Sequence, residues 1–356
     1  MAVKKVAVIG CGTIGTSEHI PAYIKNEKSE IKYFCDIIPE KAQAMVDKYG
    51  CGTAITDYHD ILKDPEVAAV SVCVPNYMHS KIAIDCLNAG KNVLCEKPAA
   101  TTYEEALAMQ DAQEKSGKIL NIGVVNRFNP AVVRIKNLID SGELGEVYHV
   151  YCSFRSYRSI PGWGGWFTTK AMSGGGVLID WGIHFLDLIL YCINEAKTTA
   201  VSGKAYCKLG KKLDDYVYTG MWAGPPKKDG IDNVEDFVTG LIRTEGPTIS
   251  LNGAWAQNLN ENEMFIDFLG TKGGIRLQYG ANFKLYSTKN SALTETIPTY
   301  MSEQPFENEI DAFLDCIDTH TKIRSNIDHA VKTSQIMEAI YESSDKGKEI
   351  ILEDAK

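Results

Sequence analysis

Two groupings in the 356-residue sequence have the residue types and spacing to do chemistry. The first is Gly10-Cys11-Gly12-Thr13-Ile14-Gly15, a G-x-G-x-x-G pattern between the β-branched run Val3–Ile9 and a predicted helix. Gly10 permits a tight turn, Gly12 lets the backbone approach a pyrophosphate, and Gly15 lets helix and strand pack closely. Thr13 and Ile14 open the helix, whose N-terminus offers N–H groups and partial positive charge to phosphates. Asp36 ends the next strand 21 residues after Gly15, placed to accept hydrogen bonds from adenosine ribose hydroxyls. A 2′-phosphate there would face a carboxylate, and Ile37 and Ile38 follow where an NADP site often offers Arg or Ser, so the pattern favours NAD over NADP. The second grouping is Asp180 and His184, four residues apart at the start of a predicted helix and so on one face, with Asp187 on that face at i+7.

The elements that must carry these residues fall into two regions. Up to about residue 125, short apolar runs (Val3–Ile9, Ile31–Cys35, Ala68–Val74, Asn92–Cys95, Ile119–Gly123) alternate with helical stretches (Pro39–Tyr49, Tyr77–Ala89, Thr102–Ser116). This order predicts a doubly wound α/β domain, residues 1–125, with a parallel sheet buried on both faces. Pro21 is a misfit, expected to kink or end the first helix early. Residues 126–356 read as a second, α+β domain with a mostly antiparallel, open-faced sheet. A helix over Pro130–Asp140, a strand over Val147–Phe154, a Gly-rich loop Arg155–Gly176 and an apolar helix from Val177 to Ile193 come first. Strand after strand follows from Ala200 to Ser287, with turns at 224–226, 245–247, Asn252-Gly253 and Gly273-Gly274, then helices near Pro305–Thr319 and Asp328–Ser344. So much sheet with so few helices leaves an uncovered face, expected to be buried in a homo-oligomer.

Composition narrows the function classes. Lys and Arg number 37 against 46 Asp and Glu, a net charge of -9 without a basic run, which argues against nucleic acid and anionic membranes as partners. No uncharged apolar stretch approaches the roughly 18 residues of a membrane span. The run Val6–Ile9 is too short for a signal-peptide core. The ten cysteines form no C-x-x-C pair and read as buried free thiols of a cytoplasmic protein, with no metal site expected.

Further segments make the assignment specific. Val74-Pro75-Asn76-Tyr77-Met78-His79 follows the strand Ala68–Val74, and Cys95-Glu96-Lys97-Pro98 follows the next. Downstream lie Val125-Asn126-Arg127-Phe128-Asn129-Pro130, Gly174-Gly175-Gly176 leading to Asp180 and His184, and Leu269-Gly270-Thr271-Lys272-Gly273-Gly274. With the G-x-G-x-x-G start, this ordered set resembles the glucose-fructose oxidoreductase / inositol dehydrogenase / MocA (Gfo/Idh/MocA) family over nearly the whole chain. The resemblance implies a Rossmann domain followed by an open-faced α+β domain, dimers or tetramers packed through that sheet, and NAD(P)-linked redox chemistry on sugars, inositols and related polyols. It places Pro75, Asn76 and His79 along the cofactor, Glu96 at the nicotinamide ribose and Lys97 at the reacting carbon, with a bond before Pro98 that is often cis.

Oxidising a secondary alcohol requires a hydride acceptor, a proton acceptor and positive polarisation of the oxygen. The expectation is that His184 takes the proton, Asp180 orients it, and Lys97 holds and polarises the oxygen; a Lys97 base is the alternative. Asp187 reads as a structural partner. Arg127 matches a family position that often reaches substrate. In the loop Arg155–Lys170, Arg155, Tyr157, Arg158, Trp163, Trp166 and Lys170 could select it, tryptophan faces suiting the C–H face of a pyranose; packing the loop onto the sheet is the competing role. The leading function is an NAD-dependent sugar, glycoside or cyclic-polyol dehydrogenase, with a lean toward C3 of a hexopyranose. An NAD-retaining glycoside-cleaving enzyme and a catalytically silent cofactor-binding sensor stay open as alternatives.

Overall fold

The computed structural model describes residues 3–218, 220–280, 282–300 and 304–352. The chain forms two compact units, Met1–Phe128 with Glu303–Ser334, and Asn129–Ser302 with Gln335–Lys356.

The first unit is built on strands β1 (Lys4–Ile9), β2 (Ser29–Cys35), β3 (Thr53–Ile55), β4 (Val67–Val72), β5 (Asn92–Glu96) and β6 (Leu120–Gly123). They pair in parallel in the order β3-β2-β1-β4-β5-β6, the doubly wound arrangement, which brings the β1, β4 and β5 C-terminal turns side by side. The short edge strand β3 and a one-turn helix, His59–Lys63, carry too few apolar residues to register as elements in the sequence pattern. Pro21 does not end the first helix. A π turn over Gly15–His19 precedes an α segment, Ile20–Lys25, in which Pro21 occupies the first turn. The widened turn relieves the clash of the proline ring with the carbonyl four residues earlier.

Residues 303–334 were expected in the second domain but cluster with the first unit. The reason lies in the helix Pro305–Thr319, whose Ile310, Phe313 and Leu314 are buried with Val6, Val8 and Phe34. Its acidic residues recur at helical spacing and meet the N-terminal lysines. Lys4 Nζ lies 2.6 Å from Asp318, and Lys28 Nζ lies 2.8 Å from Asp311 and 2.6 Å from Asp315. The next helix, Ile327–Lys346, gives Ile327, Ala330 and Val331 to the first core and Ile336, Met337 and Ile340 to the second.

The second unit holds β7 (Val147–Arg155), β8 (Thr198–Tyr206), β9 (Phe237–Thr244), β10 (Thr248–Ala254), β11 (Glu263–Gly270), β12 (Gly273–Gln278), β13 (Phe283–Lys289), β14 (Ala292–Thr296) and β15 (Ile350–Ile351). They form one sheet, β14-β13-β12-β11-β7-β10-β9-β8-β15, antiparallel except for the β7–β10 pair. The helix Ile183–Cys192 lies on one face, with Phe185 4.9 Å from Phe154 of β7. Within Lys170–Cys192 an 18-residue window has the mean hydropathy (1.4) of a membrane crossing, yet 78% of that window is buried, as befits a core segment. All ten cysteines are unpaired, and all but Cys51, Cys207 and Cys316 are buried.

Two expectations fail here. Residues 207–236 are not strand; among the described residues they form an irregular excursion between β8 and β9 with one 3₁₀ turn, Leu213–Asp215. Asn252-Gly253 is not a turn but lies inside β10, because a Cβ at Gly253 would stand 1.9 Å from the Phe154 ring. Glycine is there to admit the aromatic side chain, which a turn signal imitates. Gly253→Val should therefore destabilise the protein by about 1–3 kcal/mol through overpacking. Adding Phe154→Leu should recover part of the loss, as read by urea denaturation of the two variants.

Candidate active site

Cofactor-type residues gather at the C-terminal ends of β1, β2, β4 and β5. Gly10 has φ +102°, and a Cβ there would stand 2.3 Å from the Cys73 carbonyl oxygen. A Cβ on Gly15 would stand 2.3 Å from the Gly10 carbonyl. At Gly12, by contrast, a Cβ would meet nothing within 4 Å. The turn is thus closed toward the protein and open at the one glycine where a pyrophosphate would come closest. Burial pushes the Cys11 thiol up to about 12, with Asp36 adding to it, so a neutral side chain sits in the turn. Asp36 accepts from the Cys11 N–H through Oδ2 and from the Ile38 N–H through Oδ1, both at 2.9 Å. Ile37 beside it is exposed. This donor set fits a dinucleotide: Gly12, Thr13 and Ile14 for phosphate, Asp36 for ribose.

The turns after β4 and β5 are tied to each other. His79 is buried, with Nδ1 2.7 Å from the Pro98 carbonyl and Nε2 2.7 Å from the Val74 carbonyl. It was expected along the cofactor. Its ring braces the Pro75-Asn76 turn against the Lys97-Pro98 turn, whose peptide bond is cis. Pro75 is exposed, whereas Asn76 and Lys97 are half-buried. Glu96 is buried, its Oε1 2.8 Å from His19 Nε2 and its Oε2 accepting the Lys97 N–H at 3.1 Å. Burial alone would raise the Glu96 pKa; the hydrogen bond and charge of His19, with Lys97 and His79, bring it below the ordinary carboxylate value.

In the second unit, the π turn Leu178–Gly182 runs into the helix Ile183–Cys192 and carries Asp180 and His184 about one turn apart. Both are partly accessible, whereas Asp187 is buried, as suits a structural partner. Asp180 Oδ2 accepts the Trp255 indole N–H at 3.2 Å. The helix start is held by a carboxylate far away in sequence. Glu235 accepts N–H bonds from Gly176 and Leu178, both at 2.9 Å, and the Tyr341 hydroxyl at 2.8 Å. Burial raises the Glu235 pKa, and these donors work against that rise. The triple glycine is required by this packing, since a Cβ on Gly175 would stand 2.1 Å from the Tyr341 hydroxyl and one on Gly176 1.9 Å from the Glu235 carbonyl oxygen. Sequence reasoning missed Glu235, Trp255, Tyr341 and His19, because a lone acid, indole or imidazole far from its partner leaves no periodic trace.

The other candidate substrate residues have partners within the chain. Arg127 is fully buried and donates to the Arg324 carbonyl at 2.9 Å, bracing two segments of the first unit. Arg155 follows Phe154 in β7, so it points to the sheet face opposite the Asp180 helix, where its Nε donates to Glu263 at 3.1 Å. Trp163 donates its indole N–H to the Gly210 carbonyl at 2.6 Å. Trp166 stacks on Phe167 at 3.7 Å, and Phe167 meets Trp222 edge-on at 4.8 Å. Gly164 and Gly230 fit backbone against backbone, a Cβ on Gly164 standing 2.3 Å from the Lys227 carbonyl. The tryptophan loop is therefore packed onto the 207–236 excursion. Tyr157 and Arg158 stack on each other at 4.3 Å, and Lys170 lies over the Tyr341 ring at 5.6 Å.

Comparison with known proteins agrees with this geometry. Residues 4–124 match the model of an oxidoreductase family with an NAD-binding Rossmann fold, and residues 132–276 match the Gfo/Idh/MocA C-terminal domain. The chain is 29% identical over 351 residues to D-glucoside 3-dehydrogenase of Escherichia coli K12, covering 98% of this chain and 97% of that one. It is 32% identical over 279 residues to a putative UDP-kanosamine synthase oxidoreductase subunit of Amycolatopsis mediterranei, covering 77% and 75%. The fold is shared with levoglucosan dehydrogenase in complex with NADH and levoglucosan, at TM-score 0.87 and 21% identity over 98% of this chain and 99% of that chain. The chain belongs to the Gfo/Idh/MocA oxidoreductase family.

Proposed function

We propose that this protein is an NAD-dependent dehydrogenase acting on a secondary hydroxyl of a sugar, glycoside or cyclic polyol, with C3 of a hexopyranoside the favoured position. The observation that carries the reading is the Asp180–His184 pair. A carboxylate oriented by Trp255 stands a turn from a half-buried imidazole, on a helix fixed by Glu235, in a chain whose glycine turn is open at Gly12. The relation to D-glucoside 3-dehydrogenase, which spans both units, supports the C3 position.

Bound NAD supplies the hydride acceptor. The chain supplies the rest. Gly12, Thr13 and Ile14 offer N–H groups to the phosphates, Asp36 takes the adenosine ribose, and Asn76 and Glu96 line the nicotinamide end. His184 accepts the hydroxyl proton, Asp180 orients the ring, and Lys97 polarises the oxygen on which negative charge develops. The family position of Arg127 is a brace in this chain, so substrate selection falls to residues other than Arg127 and Arg155. The sheet face away from the helix carries Tyr151 edge-on to Phe265 at 5.5 Å and Arg276 over the Phe265 ring at 4.4 Å, and we propose that a second copy of the chain covers it. Ten unpaired cysteines favour a reducing cytoplasm as its setting.

Incubating the protein with NAD and methyl glucosides, levoglucosan or myo-inositol should produce NADH in stoichiometric amounts, read by absorbance. Release of a nitrophenol from a nitrophenyl glycoside without NADH would replace this reading with redox-neutral glycoside cleavage. Lys97→Ala should lower kcat by at least about a hundredfold while NADH binding persists. Gly12→Ala should keep its melting temperature, since a Cβ there touches nothing. It should weaken NADH binding by about tenfold or more in a fluorescence titration. Asp36→Ala should raise KM for NAD much more than for NADP; equal increases would remove Asp36 from ribose recognition.

A further inference from the structure

His19 is fully buried in the first unit, at the end of the π turn Gly15–His19. Its Nε2 is 2.8 Å from Glu96 Oε1, and its Nδ1 is 3.2 Å from Ser71 Oγ. Ser71 is itself buried and lies 2.9 Å from the Tyr23 hydroxyl, so it can accept from the ring while the tyrosine holds it in place. Glu96 in turn receives the Lys97 N–H on its other oxygen. A continuous chain of hydrogen bonds thus runs from a helix that carries no reactive group to the backbone of Lys97.

We infer that His19 is a positioning residue, held as an imidazolium, that fixes the Glu96 carboxylate and through it the presentation of the Lys97 amine. The inference rests on the dehydrogenase reading only for its kinetic consequence. The charged groups around the ring are consistent with that state. Burial disfavours the charge, and the neighbouring Cys73 and Glu96 raise the ring pKa above its ordinary value. Burial keeps the Cys73 thiol up and neutral, so at neutral pH the charge that faces the ring is that of Glu96. The Tyr23 hydroxyl is pushed up as well and stays neutral. The Phe306 ring, 6.1 Å away, closes the remaining side with apolar surface. An unpaired Glu96 in that setting would lose its reason to be ionised and its fixed direction.

The test uses the full-length protein labelled with ¹⁵N-histidine. One histidine, assigned as the signal lost in His19→Gln, should show both ring nitrogens protonated from about pH 6 to about pH 9. A ring with one bare nitrogen at neutral pH would overturn the inference, whatever the protein's activity. The ring pKa lies above its ordinary 6.5, so its share of stability is complete below that value and disappears as pH rises toward about 10. The melting temperature should accordingly fall over that range in the wild type and fall less in His19→Gln. With a substrate that yields NADH, His19→Gln should lower kcat about tenfold or more and leave the Kd for NADH within about threefold. An unchanged kcat, or equal losses in kcat and NADH affinity, would overturn the positioning role. If His19→Gln does not fold, the wild-type spectrum decides alone: at least one of the seven histidines must keep both ring nitrogens protonated to about pH 9, and none doing so overturns the inference.

Discussion

A buried carboxylate must find donors or give up its charge, and this constraint organises both units. In the first, Glu96 ends β5 inside the protein and is satisfied by His19 and the Lys97 N–H. In the second, Glu235 is satisfied by two N–H groups of a helix start and by Tyr341. Each carboxylate sits beside a segment that presents a side chain proposed to act in the reaction, Lys97 in one case and Asp180 with His184 in the other. The donors come from remote positions, so neither segment can shift without breaking several bonds at once. Preorganisation of this kind is what a transition state with developing charge requires, since fixed groups pay no reorganisation when the charge appears.

Steric exclusion does complementary work. Gly10, Gly15, Gly175 and Gly176 stand where a Cβ would strike backbone or a hydroxyl, so these glycines hold segments together. Gly12 stands where a Cβ would strike nothing in the protein. Unlike Gly50 or Gly117, which also have open space but a positive φ, Gly12 has no backbone requirement of its own, and its open position over a helix N-terminus suits the proposed phosphate contact. The same comparison separates Gly253, which admits the Phe154 ring, from the turn glycines it resembles in sequence.

Much of the architecture could be read from the sequence because it rests on periodic or contiguous signals. The parallel strands, the helices Pro39–Tyr49 and Pro130–Asp140, and the helix carrying Asp180 and His184 all follow from apolar runs and local spacing. What escaped depends on contacts distant in sequence. The acidic face of Pro305–Thr319 gains its meaning only against Lys4 and Lys28, which is why its membership of the first unit was hidden. The excursion 207–236 holds aromatic and apolar residues that imitate strands, yet it folds around the tryptophan loop. Arg155, Trp163 and Trp166 have side chains suited to a sugar, and chemistry alone could not reveal that each already has an intramolecular partner.

Asp36 shows how a residue legible by type gains force from its setting. A carboxylate on a free rotamer could swing aside to admit a 2′-phosphate. Here each oxygen is held by a different backbone N–H, Cys11 on one side and Ile38 on the other, so turning away would forfeit both bonds. A phosphate brought within about 4 Å would face a repulsion of roughly 1 kcal/mol per pair of unit charges in water and about 4 kcal/mol at the effective dielectric of a protein surface. The exposed Ile37 beside it supplies no cation to offset that. On the proposed reading, a ribose diol would donate to the outward lone pairs of the same fixed carboxylate, and discrimination against the phosphorylated cofactor would follow from the rigidity of Asp36 as much as from its charge.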